Sequence, residues 1–204
     1  VNKKDFYNSV QILFRQKAKS YELHGQQISI VADQVRGTQL KDEVRMAKRE
    51  GDMSLGIIPD EYLTTKEFVT KYNPRRARWY IDLLTLPVSI YGTSLVKYIG
   101  SVRGRELEFV ISRNSSQLMY SALEAGGMLG INDCFQEGKF IYFNNLPFEY
   151  ENAPILIKAV FPIFILDDDD EIPVPDPEKF LMDVINILAL SEKGEEHNTN
   201  DNKT

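Results

Sequence analysis

Apolar residues recur at spacings of three and four near the start of the chain: Phe6, Val10, Leu13 and Phe14, with Lys17 and Tyr21 on the same line. That spacing predicts an amphipathic helix from Lys3 to Leu23, with Asn8, Arg15 and Lys19 on its polar face. His24-Gly25 reads as its end, because glycine is the usual residue just past a helix. A second helix is predicted from Gln26 to Arg49. Its apolar stripe is thin (Ile28, Val31, Val35, Leu40, Val44, Ala47), and Gly37 interrupts it at about 1 kcal/mol relative to Ala. A helix this polar is expected to need a neighbouring subunit over its stripe.

From Pro59 the period changes to two. Glu67–Tyr72 and Ala77–Leu83 read as strands around the turn signal Asn73-Pro74, with a break at Pro87. Val88–Tyr91, Leu95–Val102 and Glu106–Ile111 read as further short strands, punctuated by Gly92, Gly100 and Gly104. Ser115 or Ser116 is placed to cap a short helix over Gln117–Ala125, which Gly126-Gly127 ends. Lys139–Asn144 reads as a strand. So does Pro154–Ile165, where Pro162 argues for a sheet edge or a strand end. After an acidic run, Ile172–Pro175 reads as extended. Asp176 then caps a helix with Pro177 at its first position and Phe180, Leu181, Val184, Ile185 and Leu188 on its apolar face. Ser191–Thr204 contains no apolar residue and is expected to be disordered.

The fold expected is α+β. Residues 1–58 form an N-terminal helical arm. Residues 59–166 form an antiparallel β-rich core, a sandwich or a small barrel, with a short inserted helix. Residues 167–204 supply an acidic turn, the C-terminal helix and an extended polar tail. The whole reads as one compact domain with appendages.

Composition narrows the function. The chain has one cysteine in 204 residues, so an internal disulfide and a multi-cysteine zinc site are excluded. Cys134 reads as a buried, inert thiol. Residues 1–19 lack the apolar core of a signal peptide, and no run of eighteen apolar residues is present. The protein is expected to stay where it is made unless an assembly carries it. Its net charge of −6 is the wrong sign for a sequence-independent nucleic-acid binder. Lysine and arginine nevertheless concentrate in residues 1–113, and acid is dense in the last forty, which leaves room for a basic face.

Catalytic patterns are weak. Gly126-Gly127-Met128-Leu129-Gly130 lacks the lysine of a phosphate loop. His24 and His197 stand far from any plausible nucleophile and do not form a one-turn metal pair. No catalytic, cofactor-binding or metal-binding residue is assigned. A rival enzyme reading would need Asp82, Glu106 or Asp133 to converge on a metal.

Two clusters stand out instead. In Asp167-Asp168-Asp169-Asp170-Glu171, the twelfth residue from Asp167 is Glu178, as a calcium loop requires, but the sixth is Ile172 rather than glycine. It reads as a solvated turn, or as an acidic clamp for a basic patch on a neighbouring subunit. Arg75, Arg76 and Arg78, beside Trp79 and Tyr80, form the densest basic and aromatic cluster. In a strand, Arg76 and Arg78 share one face. Lys97, Arg103 and Arg105 would extend a basic surface that meets an assembly partner or DNA.

Asp5-Phe6-Tyr7-Asn8-Ser9-Val10-Gln11 and the arm after it resemble the openings of phage connector subunits. Arg78-Trp79-Tyr80-Ile81-Asp82-Leu83-Leu84-Thr85-Leu86-Pro87, with Tyr91-Gly92 and Val96–Val102, is similar to the β-rich segment of tail-ring proteins from crAss-like and related short-tailed phages of Bacteroidetes. Ile172-Pro173-Val174-Pro175, the short helix and Asn200-Asp201-Asn202 resemble the close of such proteins. The resemblance implies a virion structural protein: a ring subunit, twelvefold, below the portal around the DNA exit path. It implies neither catalysis nor cofactor. Its implied partners are copies of itself, neighbouring portal, connector or tail proteins, and passing duplex DNA. An assembly chaperone outside the particle is the rival binding function.

Overall fold

The computed structural model of the chain describes residues 1–17, 23–49, 58–90, 93–101, 108–112, 133–144 and 146–200. It is α+β and divides into two units, Val1–Tyr62 with Phe161–Thr204, and Leu63–Val160.

The first unit holds α1 (Lys3–Lys17), α2 (Gly25–Arg49) and α3 (Pro177–Asn200). The predicted periodicity of α1 buries Phe6, Val10 and Phe14. Asn2 caps it, its Oδ1 accepting the Asp5 N–H at 2.8 Å. The predicted stop at His24-Gly25 is corrected: Gly25 opens α2. The His24 carbonyl accepts the Ile28 N–H at 3.2 Å, and its own N–H donates to Gln27 Oε1 at 3.0 Å. That is one half of a capping box, a start signal rather than an end.

The stripe of α2 is also corrected. Ile28, Ala32, Val35 and Leu40 are buried, and the cover comes from this chain. Ile28, Ala32 and Val35 share a core with Phe6, Val10 and Phe14 of α1, Phe180, Val184 and Leu188 of α3, and Ile163, Leu166 and Ile172. The Phe6 and Phe180 rings stack with centroids 5.2 Å apart. Each such side chain contributes about 1.5–3 kcal/mol on burial. Asp176 caps α3 as predicted, Oδ1 accepting the Lys179 N–H at 3.0 Å. The helix then continues to Asn200, through a segment predicted to be disordered. Extending a nucleated helix costs far less than starting one, and Glu192, Lys193, Glu195 and Glu196 are good helix formers.

Among the described residues, one charged side chain is fully buried in this unit. Arg36, on α2, is 1% exposed. Its Nη2 donates to the Phe161 carbonyl and to Asp33 Oδ1, the latter at 3.1 Å. Asp33 in turn accepts the Ile163 N–H at 3.0 and 3.1 Å. Burial pushes the Asp33 carboxyl up and the Arg36 guanidinium down, and their mutual attraction opposes both shifts.

The second unit contains two main sheets. β1 (Thr64–Val69), β10 (Pro154–Ala159) and β6 (Val96–Ser101) form an antiparallel sheet with β10 in the centre. Pro162 therefore marks a strand end, not an edge. Lys97 is the extra residue of a bulge, because Tyr98 faces Lys158 and Val96 faces Ala159. The other sheet runs β2 (Lys71–Asn73), β3 (Arg78–Asp82), β9 (Phe140–Phe143), β8 (Asp133–Glu137), β7 (Val110–Ser112). The predicted strand over 67–72 is in fact two strands in two sheets, split at buried Thr70. The Thr70 N–H donates to the Ala153 carbonyl at 3.1 Å and its Oγ1 to the Tyr150 carbonyl at 2.7 Å. β4 (Ser89–Ile90) and β5 (Thr93–Ser94) make a small ladder of their own.

β7 lies parallel to β8, the exception to the antiparallel pattern. Residues 113–132 are long enough for the crossover this needs. The predicted inserted helix over 117–125 lies in that stretch, outside the described residues. Among the described residues neither sheet closes on itself. Gly138, at φ +61°, takes the first place of the two-residue β8–β9 loop, where a hairpin turn demands a left-handed residue.

Asp33→Ala leaves the Arg36 charge buried without its carboxylate and is expected to destabilise the first unit by about 3 kcal/mol or more. Asp33→Ala with Arg36→Met restores most of that loss. Urea unfolding of the three proteins checks both expectations.

Candidate functional site

The basic and aromatic cluster sits on the five-stranded sheet. Asn73 and Arg78 pair across the β2–β3 hairpin, and Pro74–Ala77 form its turn. Arg75 and Arg76 are thus turn residues, and the predicted strand alternation does not govern them. The Asn73 side chain sets the turn: its Oδ1 accepts the Arg75 and Arg76 N–H groups at 3.1 and 3.3 Å. Ala77 completes it at φ +49°.

Cross-strand register builds the surface under the hairpin. Tyr80 faces Tyr142, and Tyr142 faces Phe135. These residues, with Phe140, form an aromatic layer on one face of the sheet. The Phe135 and Tyr142 rings stack at 5.4 Å, and Tyr80 meets Phe140 edge-on at 5.7 Å. Cations lie over it. The Arg76 guanidinium is 4.7 Å from the Tyr142 ring centre, Arg78 is 5.5 Å from Phe135, and Lys139 Nζ is 5.2 Å from Phe140. Two of the three are ion-paired: Arg76 with Glu137, in two-point contact, and Lys139 with Asp82 at 3.0 Å. The hydrogen bond to Glu137 holds the Arg76 guanidinium above its usual range and the Glu137 carboxyl below its own.

Trp79 points to the opposite face, against Tyr72 at 5.4 Å. The structure therefore parts Trp79 from the arginines that neighbour it in sequence. Lys97 lies in the other sheet. Arg103, Arg105, Glu106, Ser115, Ser116 and the 126–130 glycine cluster lie outside the described residues. The part played by Phe135 and Glu137 was not visible in the sequence, since β8 shows only Cys134 and Phe135 as apolar signal.

The acidic run belongs to the first unit and is tied to the start of α1. The carbonyls of Asp170 and Asp168 accept the Lys3 and Lys4 N–H groups at 2.9 and 3.0 Å. These would otherwise be unsatisfied helix-end donors. Lys3 Nζ donates to the Leu166 carbonyl at 2.6 Å and lies 3.4 Å from Asp168. Asp167 and Asp170 close the turn on each other, backbone to backbone and N–H to carboxylate. Asp169 stands exposed beside them.

Among the described residues no group of three or more histidine, cysteine, aspartate or glutamate side chains is arranged to hold a metal. Asp82 and Asp133 occupy opposite ends of the sheet, four register rows apart, or about 13 Å along the strands. His24 is a helix cap, and His197 falls in the last turns of α3. Cys134 is fully buried, and burial pushes its thiol up to about 12. Among the described residues no helix is long and apolar enough to cross a membrane.

In comparisons with known proteins, no family model and no curated sequence matches this chain.

In an NMR titration, Glu137 is expected to ionise below the usual glutamate range, and Arg76→Ala to return it there. Because the folded value is the depressed one, the pair contributes stability above the unfolded glutamate pKa. That contribution is lost as pH falls through the folded value. Cys134 is expected to react with a thiol reagent only after denaturant unfolds the second unit, so prompt reaction of the native protein would contradict its burial.

Proposed function

We propose that this chain is a virion structural protein: a ring subunit, twelvefold, of a head-to-tail connector in short-tailed bacteriophages of the crAss-like kind. It would join neighbouring rings around the path of the DNA. The sequence resemblance motivates the reading, and one structural observation supports it best. The two clusters that held the strongest chemical promise are used to build and present surface. The acidic run caps α1, and Arg76 and Arg78 roof an aromatic sheet face beneath a rigid turn. A surface organised in this way suits recognition of a large partner better than turnover of a small molecule. Neither catalysis nor a cofactor belongs to this function, and the protein's place is the particle.

The test is a protein inventory of purified particles beside the mass of the isolated protein, alone and with portal or adaptor rings. Stoichiometric presence in particles, and recruitment of about twelve copies onto such a ring, is the expected result. A protein needed for assembly yet absent from particles would instead be a chaperone.

A further inference from the structure

The charges around the β2–β3 hairpin do not cancel. Glu137 neutralises Arg76, and Asp82 neutralises Lys139. Arg75 and Arg78 have no ion-pair partner among the described residues, and neither has Lys71, whose register opposite Tyr80 places it on the same sheet face. Three cations without an ion-pair partner among the described residues thus lie on the β2–β3 hairpin, Lys71 on β2, Arg75 in the turn and Arg78 on β3, at one side of the five-stranded sheet, in a chain of net charge −6.

We propose that this edge docks a carboxylate-bearing surface of a second copy of this chain. The inference rests on the ring reading and names the face that makes the contact. Three observations favour that occupant. First, the chain without these three cations is more acidic still, so every copy brings the complementary charge at equal concentration. Second, Arg76 already shows the recognition mode within one molecule: its guanidinium lies over the Tyr142 ring and binds the Glu137 carboxylate at two points. Arg78 has the aromatic support over Phe135 and lacks only the carboxylate. Third, the Asn73 turn holds Arg75 at the tip, so little backbone freedom is lost on docking. Duplex DNA offers phosphates to the same cations and is the rival occupant that the test below separates. The basic edge and the acidic surface it meets are different patches, so the contact is head-to-tail, the kind that closes rings.

Light scattering of the full chain across salt concentrations tests this, with Arg75→Glu and Arg75→Glu/Arg78→Glu as variants and circular dichroism as the check on folding. Arg75 is exposed in a turn, so its single variant still reads the contact where the double variant fails to fold. The wild type is expected to self-associate at low salt and to dissociate as salt screens the contact. Arg75→Glu should weaken association about tenfold or more. A wild type that stays monomeric at low salt overturns the proposal, as does an Arg75→Glu chain that associates like the wild type. Retention of a short DNA duplex by the wild type, lost in Arg75→Glu while self-association persists, also overturns it and assigns the edge to phosphate. Absence from particles would remove the connector reading alone, since the mass measurement still decides this contact.

Discussion

The helical unit depends on a buried charge. Arg36 is enclosed by α2 and by the chain returning at Phe161, and its guanidinium reaches one backbone carbonyl and one carboxylate. Removing such a cation from water costs several kcal/mol. That cost is offset only while Asp33 and the Phe161 carbonyl stay in place. Asp33 is itself held by the Ile163 N–H, so the pair fixes two backbone groups of the returning segment against α2. Nε and Nη1 of Arg36 have no hydrogen-bond partner among the described residues, which makes the remaining two links matter more. The apolar packing of α1, α2 and α3 supplies most of the stabilisation. The ion pair determines how the returning segment lies on that packing.

Tyr62 is another buried polar group of the same unit. It is buried, and its hydroxyl donates to Glu43 Oε1 at 2.7 Å. Burial first, and then that bond to a carboxylate, raise the Tyr62 phenol above its usual range, so it remains a neutral donor. Tyr62 is where the chain leaves the first unit and Phe161 is where it returns. Both crossings are therefore anchored by buried polar groups as well as by apolar contacts. Polar anchors are directional, which suits positions where the chain must enter and leave along set paths.

The second unit uses charge differently. Arg76, Arg78 and Lys139 lie over aromatic rings at a sheet surface, where ion pairs are individually weak. A guanidinium held over a ring is already oriented, so it loses less freedom when an anion arrives. Arg76 is used within the chain in this way, and Arg78 is held over a ring with no ion-pair partner among the described residues. The acidic run shows a third use. Its backbone carbonyls satisfy the start of α1, while Asp169 remains exposed. The same stretch thus serves fold and surface through different atoms.

Local pattern by itself determined much of this protein. The three-and-four spacing of Phe6, Val10 and Phe14, the Asp176-Pro177 cap, the apolar run of β10 and the lone Cys134 predicted elements and burial, because each rests on neighbours close in sequence. What depended on distant partners was decided only by tertiary structure. β8 carries little apolar signal and is a strand because β9 and β7 pair with it. Thr70 divides an apparently continuous strand because Tyr150 and Ala153, far along the chain, take its hydrogen bonds. The α2 stripe looked as if it needed another subunit because the sequence does not show that α3 folds back onto it. Asp33 and Arg36 have the spacing of an ordinary surface pair on a helix, and only the return of Phe161 across them makes them a buried one. Arg78 and Trp79 adjoin in sequence yet serve opposite faces, since a strand alternates its side chains and the sheet separates the two sides.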